Sequence, residues 1–173
     1  MNLPNKLTIL RVGLVPVCLV LVAVDQLILA AAVFGLACLT DLLDGRIARR
    51  DHLVTNFGKF ADPIADKVLT VTMMVLMAWK GLLPVWMPII VIVRELMVDG
   101  LRLIAVEKGQ VVAADWSGKV KTVAQLITII LALLNLPRTM VWVLSGIVCA
   151  LTLYSGGSYF WKLRGLFRKD LGI

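Results

Sequence analysis

Four aspartates at helical spacing are the residues of this sequence best placed to do chemistry. Asp41 and Asp44 are three residues apart, and Asp62 and Asp66 are four apart, so each pair would share one face of a helix. If the two faces met, the four carboxylates could not all stay ionised unless cations neutralised them. Carboxylate oxygens suit Mg²⁺ or Mn²⁺. The spacing therefore predicts a site for two divalent ions, which could clamp a diphosphate.

The same aspartates could instead be solvated helix ends or partners of nearby basic side chains. The basic side chains within reach along the sequence are Arg46, Arg49, Arg50, Lys59 and Lys67. A single aspartate beside an apolar segment would favour that interpretation. Here two of the four lie several residues inside an apolar segment, where an ionisable group is costly and is usually functional. The pattern therefore favours the metal site.

Small residues alternate with these aspartates. Gly45 and Ala48 follow the first acidic pair on nearly the same helical face, and Gly58 precedes the second pair by four residues. A position without a large side chain lets a ligand approach the backbone closely, which favours a slot for a nucleotide. Small residues at this spacing also pack helices together, and the sequence leaves that alternative open.

The elements that must position the aspartates are membrane helices. The chain of 173 residues is 60% hydrophobic, with a mean hydropathy of +0.93, and a soluble domain is nearer half apolar. Several apolar runs approach the ~20 residues that cross a bilayer. Six such segments run over 7–24, 27–48, 58–80, 84–107, 119–136 and 138–161. We expect one all-α domain, residues 1–173, a polytopic membrane protein with six transmembrane helices.

Turn residues and one proline refine this expectation. Polar or Gly/Pro breaks at 25–26, 81–84 and 135–137 predict turns between helices. Pro16 lies inside the first apolar segment, where it would interrupt a helix. We therefore expect a short interfacial helix over residues 2–12, with Lys6 and Arg11 at the headgroups, before the first span.

The basic charge of the chain indicates how it lies in the membrane. The net charge of +7 could serve nucleic acid, anionic lipid or an anionic substrate. The basic residues lie beside apolar runs without interleaved aromatics, which excludes a nucleic-acid surface. They cluster at one end of the expected spans, and only Lys80 and Arg138 occupy the opposite turns. We therefore expect both termini and the aspartates on the cytoplasmic side of the plasma membrane.

The acidic motif as a whole resembles a known signature. Asp41-x-x-Asp44-Gly45-x-x-Ala48-Arg49-x₈-Gly58-x₃-Asp62-x₃-Asp66 matches, at every fixed position, the signature of the CDP-alcohol phosphatidyltransferases. The resemblance implies a six-helix membrane fold, usually homodimeric, with its site at the cytoplasmic end. It also implies transfer of a phosphatidyl or similar group from a CDP-linked donor to an alcohol, with release of CMP.

The resemblance assigns roles to particular residues. Asp41, Asp44 and Asp62 would be metal ligands, and Asp66 would lie by the second metal as the base for the acceptor hydroxyl. The residues implied for the donor's cytidine diphosphate are Thr40, Gly45, Ala48, Arg49 and Gly58. No Ser, Cys or His is placed to act as a nucleophile, so we expect direct displacement without a covalent intermediate.

Basic residues outside the signature indicate the acceptor. The run WSGKVKT opens the fifth segment, and a helix N-terminus with two lysines suits a phosphate, although cytoplasmic lysines also occur merely to set orientation. On the fourth segment, Arg94 lies deep and is expected to pair with Glu95. The residues predicted to bind an acceptor phosphate are Lys59, Arg102, Lys119 and Lys121.

Further stretches extend the resemblance over essentially the whole chain. NLPNKLTILRV, IVRELMVDGLR and GKVKTVAQ resemble the members of the family that use sn-glycerol 3-phosphate, which implies CDP-diacylglycerol as the donor. A cardiolipin synthase or a phosphatidylinositol-phosphate synthase of the same family remains an alternative. From a different class, buried acids could belong to a cation- or proton-coupled transporter. Transporter sites tend to lie near the midplane between inverted repeats, and this sequence shows no such repeat.

Overall fold

The computed structural model describes residues 3–50, 56–109 and 116–168, with side chains described over 7–41, 61–109 and 116–165. Within those ranges the chain forms six helices and no strands. They are α1 (Leu3–Ala23), α2 (Leu27–Arg50), α3 (Asn56–Trp79), α4 (Trp86–Glu107), α5 (Trp116–Leu133) and α6 (Arg138–Arg168). The predicted all-α class is therefore confirmed.

The helices end at the turn residues that the sequence predicts. Asp25 and Asn135 adopt left-handed backbone conformations, with φ of 61° and 59°, which Asp and Asn tolerate better than most residues. Gly81 follows α3 with φ of 76°, and Pro137 directly precedes α6. The predicted turns at 25–26, 81–84 and 135–137 are confirmed.

α1 departs from the prediction. It is one continuous helix with Pro16 inside it, so the prediction of a separate interfacial helix over residues 2–12 is wrong. The physical reason is that the bundle holds the first half of α1: Thr8 and Arg11 are each 1% exposed and contact carboxylates on α3 and α2. A proline removes one backbone donor, and this local loss does not end a helix packed against its neighbours.

Two groups of three helices share one core. α1 packs against α2 and α3, and α6 packs against α4 and α5. Smaller contacts of α2 with α5, and of α3 with α4 and α5, join the groups. In the described ranges α2 and α3 touch each other only sparsely, so α1 lies against both and links the two helices that carry the aspartates.

The distribution of polar and apolar side chains is that of a membrane protein. Large apolar side chains face outward, such as Ile28 at 76% and Leu103 at 72% exposure, whereas Gln125 and Ser145 are buried. Soluble monomers rarely expose large contiguous apolar surfaces. By length and composition, two of the described helical segments could cross a membrane, Trp116–Leu133 and Arg138–Gly165, and shorter apolar segments cover Leu7–Ala23 and Leu27–Asp41.

Candidate active site

Three of the four signature aspartates lie near one another on α2 and α3. Asp41 on α2 lies within electrostatic range of both Asp62 and Asp66 on α3. Three of the four predicted metal ligands therefore share one region. The other predicted residues of the signature lie outside the described side chains: Asp44, Gly45, Ala48, Arg49, Gly58 and Lys59. Thr40 precedes Asp41, and its hydroxyl donates to the Ala37 carbonyl at 2.8 Å.

α1 contributes two polar residues to this region. Arg11 Nη1 lies 2.8 Å from Asp41 Oδ1, and the Arg11 side chain is fully buried. Thr8 Oγ1 donates to Asp62 Oδ1 at 2.5 Å. Neither residue is among those predicted from the sequence to belong to the site. Their spacing could have indicated a shared role, because Thr8 and Arg11 are three residues apart and therefore lie on one face of a largely apolar helix.

The donor set suits hard divalent cations. Asp41, Asp62 and Asp66 offer carboxylate oxygens, the ligands that Mg²⁺ and Mn²⁺ prefer. The contacts from Arg11 and Thr8 involve Oδ1 of Asp41 and Asp62, and each carboxylate has a second oxygen. Among the described residues, no three acidic, His or Cys side chains already form a group that could hold an ion. The pair of divalent ions therefore stays a prediction, and it requires Asp44 as the fourth carboxylate ligand.

A small polar cavity lies beside Asp66, between α3, α4 and α5. Its volume is about 40 Å³, and one water needs roughly 10–15 Å³, so about three water-sized groups fit. It is lined by Asp66, Lys67, Thr70, Val71, Val91, Glu95, Lys121, Thr122 and Gln125. The structure thus brings the last aspartate of the signature and one of the predicted acceptor lysines to the same cavity.

Glu95 is the centre of an ion-pair network on one wall of this cavity. It accepts a hydrogen bond from Lys121 Nζ at 2.6 Å and another from Arg94 Nη1 at 3.1 Å. Lys67 Nζ lies 3.5 Å from its second oxygen, and Lys67 also pairs with Asp99. The predicted pairing of Arg94 with Glu95 is confirmed. Three helices therefore fix the charges around the cavity.

The remaining predicted acceptor residues lie elsewhere. Arg102 Nη2 donates to the Tyr159 hydroxyl at 2.6 Å, and its guanidinium lies 5.1 Å from the centre of that ring. This contact joins α4 to α6 and is not part of the cavity lining. Lys119 is exposed at the beginning of α5. Of the predicted acceptor residues whose side chains are described, Lys121 lines the cavity beside Asp66.

Comparison with known proteins decides the family. The profile of the CDP-alcohol phosphatidyltransferases matches residues 1–154. The chain belongs to this family. It is 40% identical, over 93% of its length, to a Bacillus subtilis protein named CDP-diacylglycerol–glycerol-3-phosphate 3-phosphatidyltransferase, of which 94% is covered. Proteins with that name from Pseudomonas fluorescens and Salmonella choleraesuis are 37% and 36% identical, over 94% and 95% of the chain and 87% and 96% of their own lengths.

Membership of the CDP-alcohol phosphatidyltransferase family gives the acidic region its chemical meaning. The family transfers a substituted phosphate group, so the aspartates belong to a transferase, and the alternative of an ion-coupled transporter loses its support. The match over residues 1–154 includes α1. Thr8 and Arg11 therefore lie within the family's domain.

Proposed function

We propose that this protein transfers the phosphatidyl group of CDP-diacylglycerol to sn-glycerol 3-phosphate, giving phosphatidylglycerophosphate and CMP. The observation that carries the proposal is the nearly end-to-end match to relatives named for this reaction. A match confined to the acidic signature would support the family's chemistry but would leave the acceptor open. Here the match also covers α4 and α5, whose side chains line the cavity beside Asp66.

The proposed setting is the plasma membrane. Six helices of one domain cross the bilayer, the termini and the aspartates lie on the cytoplasmic side, and two copies associate as a homodimer. The outward apolar side chains support contact with lipid, and the bias of Lys and Arg toward one end of the helices supports the orientation. The homodimer rests on the resemblance to the family.

The proposed cofactors are two divalent ions, Mg²⁺ or Mn²⁺, held by Asp41, Asp44, Asp62 and Asp66. When bound, such ions would neutralise the diphosphate and stabilise charge on the departing CMP. Arg11 and Thr8 fix the orientation of Asp41 and Asp62 through one oxygen each. Ligand carboxylates are usually held by such outer contacts.

The donor is proposed to lie along the first half of the signature. The residues assigned to the CDP group are Thr40, Gly45, Ala48, Arg49 and Gly58. The small residues leave room for the nucleotide near the backbone of α2 and α3. Arg49 supplies a guanidinium, which suits phosphate oxygens because it can donate two parallel hydrogen bonds.

The polyol end of the acceptor is proposed to enter the cavity beside Asp66. Asp66 takes the proton of the terminal hydroxyl while that oxygen attacks the phosphorus bearing diacylglycerol. A new P–O bond forms to the acceptor, and the P–O bond to CMP breaks. Lys121 binds the acceptor phosphate, and Lys59 is proposed as a second phosphate residue. Arg102 and Lys119 do not line the cavity, so their proposed part is limited to attracting the anionic acceptor. Glu95 holds the ammonium of Lys121 in place at 2.6 Å.

Acceptor-dependent release of CMP tests this function. Purified protein is mixed with CDP-diacylglycerol, Mg²⁺ and one candidate acceptor at a time, and CMP is measured. We expect release with sn-glycerol 3-phosphate alone. Release only with phosphatidylglycerol, or only with an inositol phosphate, would assign a different acceptor within the family and overturn the proposal.

A further inference from the structure

Gln125 is a buried residue of the cavity that none of the preceding roles uses. It lies on α5, is 3% exposed, and lines the cavity together with Asp66 and Lys121. Its side-chain oxygen, Oε1, is buried and has no hydrogen-bond partner. Buried polar atoms are nearly always paired, and one left unpaired is costly. Because Gln125 also lines the cavity, a donor bound in that cavity is the candidate partner of this oxygen.

The neighbouring polar groups of the lining do have partners. The Thr70 hydroxyl donates to the Asp66 carbonyl at 2.9 Å, and the Thr122 hydroxyl donates to the Gly118 carbonyl at 3.0 Å. Lys121 and Glu95 bond to each other. Among the described lining residues, Gln125 Oε1 is the buried side-chain atom that lacks a hydrogen-bond partner.

The positions of Gln125, Lys121 and Asp66 indicate which group of an acceptor could supply the missing hydrogen-bond donor. Gln125 is four residues after Lys121, so both side chains share one face of α5 and lie about one turn apart. On the facing helix, Asp66 occupies the same cavity. An acceptor with its phosphate on Lys121 and its terminal hydroxyl at Asp66 would present any further hydroxyl to the remaining wall, where Gln125 lies.

We propose that Gln125 determines acceptor specificity by accepting a hydrogen bond from the secondary hydroxyl of the glycerol 3-phosphate. This inference rests on the proposed function, and it adds a residue outside the signature to the site. Space for about three water-sized groups suits the small polyol end of such an acceptor better than an inositol ring. An acceptor without the secondary hydroxyl leaves the buried oxygen unpaired and binds the transition state less well.

Two acceptors that differ by one hydroxyl test the assignment. The purified protein is assayed with sn-glycerol 3-phosphate and with 3-hydroxypropyl phosphate, which keeps the phosphate and the terminal hydroxyl but lacks the secondary hydroxyl. We expect kcat/KM to favour glycerol 3-phosphate about tenfold, which corresponds to ~1.4 kcal/mol. In Gln125→Leu the preference should fall to within about twofold, because the variant no longer has the hydrogen-bond acceptor.

A matched control uses the same substitution at an exposed position. Gln26 lies in the turn between α1 and α2 and is exposed, so Gln26→Leu should keep the wild-type preference. If Gln125→Leu does not yield a monodisperse protein, Gln125→Met, which is closer to glutamine in length, takes its place with the same expected ratio. The KM for CDP-diacylglycerol should stay near the wild-type value in either variant.

The outcomes separate this inference from its alternatives. A wild-type preference near one would overturn it, because the secondary hydroxyl would then make no contact that matters. An equal loss on both acceptors, with the preference intact, would also overturn it and would assign Gln125 to packing or to a buried water. If the wild-type protein released CMP with other acceptors but not with glycerol 3-phosphate, the proposed function would have failed, a result distinct from either.

Discussion

Lys121 on α5 donates a hydrogen bond to Glu95 on α4 at 2.6 Å, and both side chains line the cavity that contains Asp66. The Lys121 side chain is only 4% exposed. Arg94 and Lys67 contact the same carboxylate, so three cations surround Glu95, and Lys67 also pairs with Asp99. A phosphorylated acceptor would meet positive charge that is already ordered, which lowers the entropy cost of binding.

Replacement of Lys121 should raise the KM for the acceptor and leave the KM for the donor unchanged. We expect Lys121→Met to raise the KM for glycerol 3-phosphate roughly tenfold or more, since a hydrogen bond to a charged group contributes about 1.5–3 kcal/mol. Glu95 keeps Arg94 and Lys67 as partners, so the carboxylate is not left unpaired. Steady-state rates of CMP release, with each substrate varied in turn, measure the effect.

The exposed lysine of the same helix turn provides the comparison. Lys119→Met should raise the acceptor KM much less than Lys121→Met, because Lys119 is solvated and does not line the cavity. Lys121→Arg should recover part of the loss by keeping the charge. If Lys121→Met left the acceptor KM unchanged and raised the KM for CDP-diacylglycerol instead, Lys121 would contact the donor, and its assignment to the acceptor phosphate would be wrong.

Asp66 is expected to be needed for turnover and not for folding. Asp66→Asn keeps the size of the side chain but removes the proton acceptor, and loss of a general base typically lowers kcat by about 10²–10⁴-fold. Asp25→Asn is the matched control, because Asp25 lies in the first turn with its side chain 78% exposed, and Asn also tolerates its left-handed backbone. Near-normal CMP release by Asp66→Asn would remove Asp66 from the chemistry.

Features that depend on one helix or one turn could be predicted from the sequence, whereas contacts between two helices could not. The aspartate pairs, the turns at Asp25 and Asn135, and the Arg94–Glu95 pair all depend on local spacing, so each could be read from the chain. The partners of Thr8 and Arg11 could not, because periodicity gives the face of a helix but not the neighbour it packs against. The prediction of a helix break at Pro16 was wrong for the same reason, because the contacts of α1 with its neighbouring helices outweigh one missing backbone hydrogen bond.

The contact of Thr8 with Asp62 predicts an effect on metal binding that can be measured without turnover. Thr8→Val keeps the shape of the side chain but removes the hydrogen bond to Asp62 Oδ1. Loss of such an outer contact commonly weakens metal affinity by about 10–100-fold. We expect the affinity for Mn²⁺, titrated by the paramagnetic resonance of the free ion without substrate, to fall about tenfold.

Thr72→Val separates this effect from the general loss of a threonine hydroxyl. The Thr72 hydroxyl donates to the Val68 carbonyl of its own helix at 2.5 Å, away from the aspartates. This variant should bind Mn²⁺ as the wild type does. Equal Mn²⁺ affinities of Thr8→Val and the wild type would show that Asp62 is not a ligand or that Thr8 does not orient it.

Substitution by alanine should have opposite effects on stability at two adjacent glycines of α6, Gly156 and Gly157. A Cβ at Gly156 would lie 3.1 Å from Arg94 Cγ, whereas a Cβ at Gly157 would meet no atom within 4 Å. Arg94 cannot easily move aside, because it donates to Ser155 at 2.6 Å and to Glu95 at 3.1 Å. In a helix alanine is favoured over glycine by about 1 kcal/mol, and overpacking costs about 1–3 kcal/mol.

Gly157→Ala should therefore unfold at or above the wild-type temperature, and Gly156→Ala below it. Thermal unfolding in detergent can be followed with a maleimide dye that reacts as the buried thiols of Cys18 and Cys149 become accessible. Because Arg94 and Lys121 share Glu95, Gly156→Ala should also raise the KM for glycerol 3-phosphate. Equal melting temperatures for the two variants would mean that α6 shifts freely relative to Arg94, and the network around Glu95 would then not be fixed by this helix.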